Sequence, residues 1–136
     1  MSADISVSGV KKYDTSLPLG RCLSRWAQDY GDRIALINQE GKSLSYAQLQ
    51  ERTERIAGGL YAAGLRAGDL AMVHMPNTQG FFYTVFALLR LGAVPVMALP
   101  GQREQDIDAL MTLARPAAYF IPGCARLPGT GATDAD

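Results

Sequence analysis

LAMVHMPNTQGFFYTVFALLRLGAVPVMALP, residues 70–100, decides the fold. Leu70 to Met75 is an apolar run that Pro76 stops, because proline has no N–H to give a ladder. Asn77 or Thr78 can cap a helix from about Gln79 to Leu91. Its residues Phe81, Phe82, Val85, Phe86, Leu88 and Leu89 surround much of the axis, so the helix wants cover on more than one side. Gly92 ends it, and Ala93 to Leu99 reads as a second buried strand. Ile107, Leu110, Met111 and Ala114 then share one face of a helix over about Glu104–Ala114. Glu104 and Asp106 suit its positive end and Arg115 the opposite end. Pro116 closes it before a short strand, Ala118–Ile121. Strand, helix, strand, helix, strand, with nearly continuous apolar strands, predicts an α/β layer containing a parallel βαβαβ segment.

Upstream, Ser16 and Pro18 mark a helix start, since proline fits a first turn where its missing N–H costs nothing. Leu19, Leu23, Trp26 and Tyr30 recur at helical spacing, and Gly31 supplies the left-handed stop. Ala35–Ile37 and Ser43–Ser45 flank a polar turn containing Gly41, which predicts a hairpin. Ser45 and Gln48 can form a capping box. Leu49, Thr53, Ile56, Leu60 and Ala63 follow on one helix face, with Gly64 as the C-cap. Residues 1–14 are polar and aperiodic and read as an N-terminal arm. Residues 124–136 are small, polar and aperiodic and read as an irregular tail.

Composition narrows the classes. Of 136 residues, 48% are hydrophobic and 19% charged, a globular balance. Thirteen basic residues offset thirteen acidic ones, so no net field attracts nucleic acid or anionic lipid. Phe81 to Leu99 is long enough to raise a membrane span, but Arg90, Gly92 and Pro95 interrupt it, and a soluble core is the better reading. Met1 to Gly9 has no apolar stretch resembling a signal peptide. Cys22 and Cys124 lack any metal-ligand spacing and read as free cytoplasmic thiols.

The search for chemistry returns little. No glycine-rich loop precedes a Lys-Ser/Thr pair, so a phosphate cradle is missing. Gly58, Gly59 and Gly64 read as close helix packing. His74, between Val73 and Met75, reads as structural. Asp106 and Asp108, two apart on a helix, point in different directions. Met72, Met75, Met97 and Met111 read as core packing.

The order of several weak motifs nevertheless resembles one family, the ATP-dependent adenylate-forming (AMP-binding) enzymes. Leu44-Ser45-Tyr46-Ala47-Gln48-Leu49 resembles its first core motif, with glutamine where glutamate is common. Leu88-Leu89-Arg90-Leu91-Gly92-Ala93-Val94-Pro95-Val96 resembles the second. Ala57-Gly58-Gly59-Leu60, Gly68-Asp69 and Met75-Pro76-Asn77 fall between them in the family's order. Ala98-Leu99-Pro100-Gly101-Gln102-Arg103 and Pro116 to Gly123 are most similar to the salicylate and 2,3-dihydroxybenzoate–AMP ligases of siderophore biosynthesis.

The resemblance implies the partial N-terminal subdomain of the adenylate-forming ligase fold over residues 15–123, with a divergent tail beyond. For the full-length family it implies ATP and magnesium as cofactors, pyrophosphate release, and an aryl carrier protein as acceptor. The family's lysine-bearing phosphate loop, its Tyr-Gly-x-Thr-Glu segment, its ribose-binding aspartate and its C-terminal lysine do not occur here. The expectation is therefore a fragment, inactive alone, with no catalytic, cofactor-binding or metal residue assigned. Tyr46, Arg90 and Arg103 receive no catalytic role. The alternative is a non-catalytic assembly or binding module that pairs with a complementary ligase chain.

Overall fold

The computed structural model describes residues 16–127 and the two-residue strand 133–134. The expected arm, residues 1–14, lies outside the described residues. Helix α1 spans Leu19–Tyr30 behind Pro18, and Gly31 ends it at φ 35° while its N–H donates to the Ala27 carbonyl. Cys22 and Leu23 form its buried face; Leu19, expected on the apolar stripe, is 51% exposed because it stands at the first turn, beside that face. Strands β1 (Ile34–Ile37) and β2 (Ser43–Ser45) make the expected antiparallel hairpin, with Gly41 at φ 78° in its turn.

Helix α2, Tyr46–Ala62, begins with the reciprocal box read from the sequence. Gln48 N–H donates to Ser45 Oγ at 3.1 Å and Ser45 N–H to Gln48 Oε1 at 2.9 Å. Ser45→Ala is expected to cost about 1 kcal/mol, seen as a lower urea midpoint with an unchanged slope. An unchanged midpoint would deny the box any energetic weight. The helix stops in a Schellman motif: Leu65 N–H reaches the Leu60 carbonyl and Gly64 N–H the Tyr61 carbonyl. Gly64, at φ 104°, sits just past the cap residue Ala63.

Strand β3 (Leu70–Val73), helix α3 (Gln79–Leu91), strand β4 (Val94–Met97), helix α4 (Glu104–Ala114) and strand β5 (Ala118–Ile121) follow. Both crossovers are parallel: β4 lies on one side of β3 and β5 on the other. The expected βαβαβ segment is therefore present. Strand β3 ends before the anticipated Met75, although His74 N–H still donates to the Phe120 carbonyl. Thr78 caps α3, and Gly92 and Ala93 repeat the Schellman bonds to Leu89 and Leu88.

Four expectations need correction. Strand β4 is not buried: among the described residues it is the edge of the sheet, with no described strand paired beyond it, and Val94 and Met97 are half-exposed. Met97 is accordingly not core, unlike Met72. The stretch 124–136 is not wholly irregular. Strand β6 (Cys124–Arg126) turns back antiparallel on β5, and β7 (Thr133–Asp134) pairs with β6. Gly58 and Gly59 are not close-packing positions, since a Cβ at either would meet nothing within 4 Å. The close approach is at Gly20, where a Cβ would overlap the Leu89 carbonyl oxygen and sit 2.8 Å from its carbon.

One face of the sheet, through Ala71, Val73, Ala118 and Phe120, packs on Leu60 of α2 and Leu88 of α3. A second cluster, Leu23, Leu44 and Leu49 with Trp26, Phe82 and Phe86 against them, binds α1 and the hairpin to the outer side of α2 and α3. Helix α3 thus has the two-sided cover its sequence called for. Helix α4 is looser: Ile107, Leu110, Met111 and Ala114 share its inner face but none is fully buried. Val94 N–H and Ala98 N–H both donate toward β3, at 2.8 and 2.9 Å. By alternation the nitrogen of Pro95 faces the outer edge, where a missing donor disturbs no existing bond. No helix of the described residues is long and apolar enough to cross a membrane.

Candidate functional site

The strand order β4-β3-β5 reverses direction at β3, and in open α/β sheets ligands gather outside the carboxyl ends of the strands at such a reversal. Two features stand near the carboxyl end of β3. The first is His74, whose Nδ1 lies 2.8 Å from the Tyr119 hydroxyl on β5. Burial pushes the Tyr119 phenol above its ordinary pKa, so it stays protonated and can donate. This pairing ties the end of β3 to β5 through side chains.

The second feature is a cleft of about 740 Å³ between the β1–β2 hairpin, Arg52 of α2 and the β3–α3 junction. The second hydrophobic cluster creates it, by holding the hairpin beside α3 through Leu36, Leu44 and Phe82. A polar relay crosses it. Arg52 Nη1 donates to the Tyr83 hydroxyl at 3.1 Å, and Tyr83 donates to Gln79 Oε1 at 3.3 Å. Gln79 Nε2 then donates to the Lys42 carbonyl at 3.3 Å. The Arg52 guanidinium lies 5.4 Å from the Tyr83 ring centre. Neither Arg52 nor Tyr83 stood out in the sequence, where Arg52 reads as part of a solvated face.

Tyr46, Arg90 and Arg103 each make a contact within the fold. Tyr46 packs against Tyr30 with ring centres 5.4 Å apart and the rings tilted 44°. Arg90 joins three helices, donating to Ser24 Oγ of α1 at 2.9 Å and pairing with Glu54 of α2 at 3.0 Å. Arg103 precedes α4, and its N–H donates to Asp106 Oδ2 at 3.3 Å. Asp106 thus caps its own helix. Cys22 and Cys124 are not joined in a disulfide, and the Cys22 thiol donates to the Pro18 carbonyl at 3.6 Å.

Among the described residues no group of three or more His, Cys, Asp or Glu could hold a metal ion. Glu51 and Glu54 already face Arg55 and Arg90 at 3.0 Å. These residues do not fit a magnesium ion held by protein ligands.

Comparison with known proteins adds the following. The protein-family model described as "AMP-binding enzyme" matches residues 23–135. Triostin synthetase I of Streptomyces triostinicus is 42% identical over 104 residues, 76% of this chain and 20% of that protein. The 2,3-dihydroxybenzoate-AMP ligase of Bacillus subtilis (strain 168) is 43% identical over 103 residues, 76% of this chain and 19% of that protein. Among solved structures, the apo form of MbtA from Mycobacterium smegmatis superposes with a TM-score of 0.70 at 35% identity, over 76% of this chain and 19% of that one. The chain spans about a fifth of the length of the curated relatives it matches.

Proposed function

Because this chain belongs to the AMP-binding enzyme family, we propose that it is the amino-terminal part of an ATP-dependent aryl-acid adenylating ligase of siderophore biosynthesis. The reaction would convert salicylate or 2,3-dihydroxybenzoate to its aryl adenylate with release of pyrophosphate. An aryl carrier protein would accept the activated acyl group. The observation that carries this reading is the parallel β3–α3–β4–α4–β5 unit, which contains the motif at residues 88–96 and follows the motif at 44–49 at the start of α2. The 43% identity to a 2,3-dihydroxybenzoate-AMP ligase supports the aryl-acid class.

Within that enzyme these residues act as scaffold. The sheet and the helices α1 to α3 form one packed layer, in which Arg55 and Arg90 are engaged with Glu51 and Glu54. ATP and magnesium belong to the proposed full-length enzyme. Among the described residues the side chains form no metal cage. Adenylation also needs cationic donors against the developing phosphate charge, and loss of one preorganised donor alone costs about 3–4 kcal/mol.

The test is ATP–pyrophosphate exchange with magnesium and each aryl acid. Residues 1–136 alone are expected to give no acid-dependent exchange. A longer polypeptide that carries this sequence and the rest of a relative's length is expected to exchange with one of the two acids. Exchange by the short chain above a no-acid control would overturn the scaffold reading, and a longer protein indifferent to both acids would overturn the substrate class. The exposed edge of β4, with Val94, Met97 and Leu99 outward, favours one further reading. In that case the chain is a non-catalytic module that pairs with a complementary ligase chain. Exchange would then return when the remainder is supplied as a separate polypeptide.

A further inference from the structure

We propose that the cleft between the hairpin and the start of α3 is a binding site for a small organic anion with a flat apolar body, of which an aryl carboxylate is the simplest. The proposal does not depend on the activity of a full-length ligase. The cleft volume, about 740 Å³, lies within the range that receives small ligands. It opens at the carboxyl end of β3, the strand at which the sheet order reverses.

Arg52 sets the charge of the occupant. Arg55 and Arg90, the other arginines of α2 and α3, each face a carboxylate at 3.0 Å. Arg52 has no carboxylate partner among the described residues. One of its N–H groups is fixed by the Tyr83 hydroxyl, and the ring of Tyr83 lies beneath the guanidinium. The rest of the fork is left for an acceptor, and a guanidinium matches a carboxylate through two parallel bonds. Glu40 also lines the cleft, but Lys42 neutralises it at 3.3 Å. The occupant's body is set by Leu36, Pro76 and Phe82, which supply an apolar wall. A free phosphate would leave that wall bare and would ask for more than one unpaired cation. A carboxylate on an aromatic ring uses both features.

The probe is benzoate, added to the full 136-residue chain and followed by backbone amide resonances. Asn38, Gln79 and Gly80 are expected to move along one saturating curve. Acetate has the charge without the ring, and benzyl alcohol has the ring without the charge; neither should produce saturating shifts at these positions. Arg52→Gln should weaken benzoate by about tenfold or more, the size of a lost charged hydrogen bond. Arg52 is exposed, so the variant's spectrum should otherwise match the parent. Tyr83→Phe keeps the ring and removes the hydroxyl that orients the guanidinium, and it should weaken benzoate severalfold. The proposal is overturned if benzoate gives no saturating shift at these three residues, if acetate matches it, or if both variants bind it as the parent does.

Discussion

Gly20→Ala is expected to lower stability by about 3 kcal/mol, at the upper end of what overpacking costs. Glycine inside a helix is ordinarily a weak point, and alanine there gains about 0.5–1 kcal/mol from propensity. At Gly20 the steric term has the opposite sign and is larger. The added methyl would overlap the Leu89 carbonyl oxygen, which is backbone and cannot rotate away. Helices α1 and α3 would have to separate, and Leu23, Trp26 and Phe86 would lose contact between them. Gly58→Ala is the matched control, because it makes the same change on α2 with nothing within 4 Å of the new atom. It should raise stability by about 0.5–1 kcal/mol. Urea midpoints at constant slope read both effects. Equal shifts of the same sign would show that α1 does not lie against α3 as described.

Leu88→Ala is expected to cost about 3–4 kcal/mol. Leu88 has no exposed surface and lies where α3 meets the sheet, in the main core with Leu60, Val73 and Phe120. Its carbonyl also accepts the Ala93 N–H that closes the helix. Truncation removes buried methyl groups and leaves a cavity beneath a rigid sheet, conditions in which Leu→Ala costs about 2–5 kcal/mol. Small domains hold a total of about 5–15 kcal/mol, so the loss is a large share. Leu113→Ala removes the same atoms from a site 84% exposed. It should stay within about 0.5 kcal/mol of the parent. A thermal or urea transition for Leu88→Ala that coincides with that of Leu113→Ala would refute the placement of α3.

The sequence conveyed the elements that punctuation bounds. Thr78 and Gly92 mark the ends of α3, and Pro116 separates α4 from β5, each as a local chemical signal. It conveyed strand order poorly. Val94 to Met97 is as apolar as a central strand, and only the path of α4 back across β3 makes it an edge. Strand β6 was missed because three residues carry no alternation, and its pairing follows from the turn at Pro122 and Gly123. Gly58 and Gly59 read as packing positions, whereas the glycine in close approach, Gly20, stands alone in an amphipathic helix. A lone glycine within such a stripe was the available signal.

The candidate site was less legible. His74 reads as structural from Val73 and Met75, but Tyr119, which it bonds, lies on another strand and no local pattern points to it. The cleft depends on Leu36, Leu44 and Phe82 bringing hairpin and helix together. No local pattern around Arg52 announces that its guanidinium rests on Tyr83 and not against an acid. What could be inferred was negative in form: the groups that adenylation chemistry needs do not converge in the sequence.

Pro95 bears on how molecules of this protein meet one another at high concentration. Cross-β growth recruits each new strand through an unbroken row of donors and acceptors. A strand arriving at the outer side of β4 finds the row interrupted within its four residues, at a position where no rotation can restore the donor. Val94 and Met97 still offer apolar surface there. Self-association from this side is thereby steered toward burial of side chains, and the ordered templating that turns a sheet edge into a fibril seed is disfavoured at its first layer.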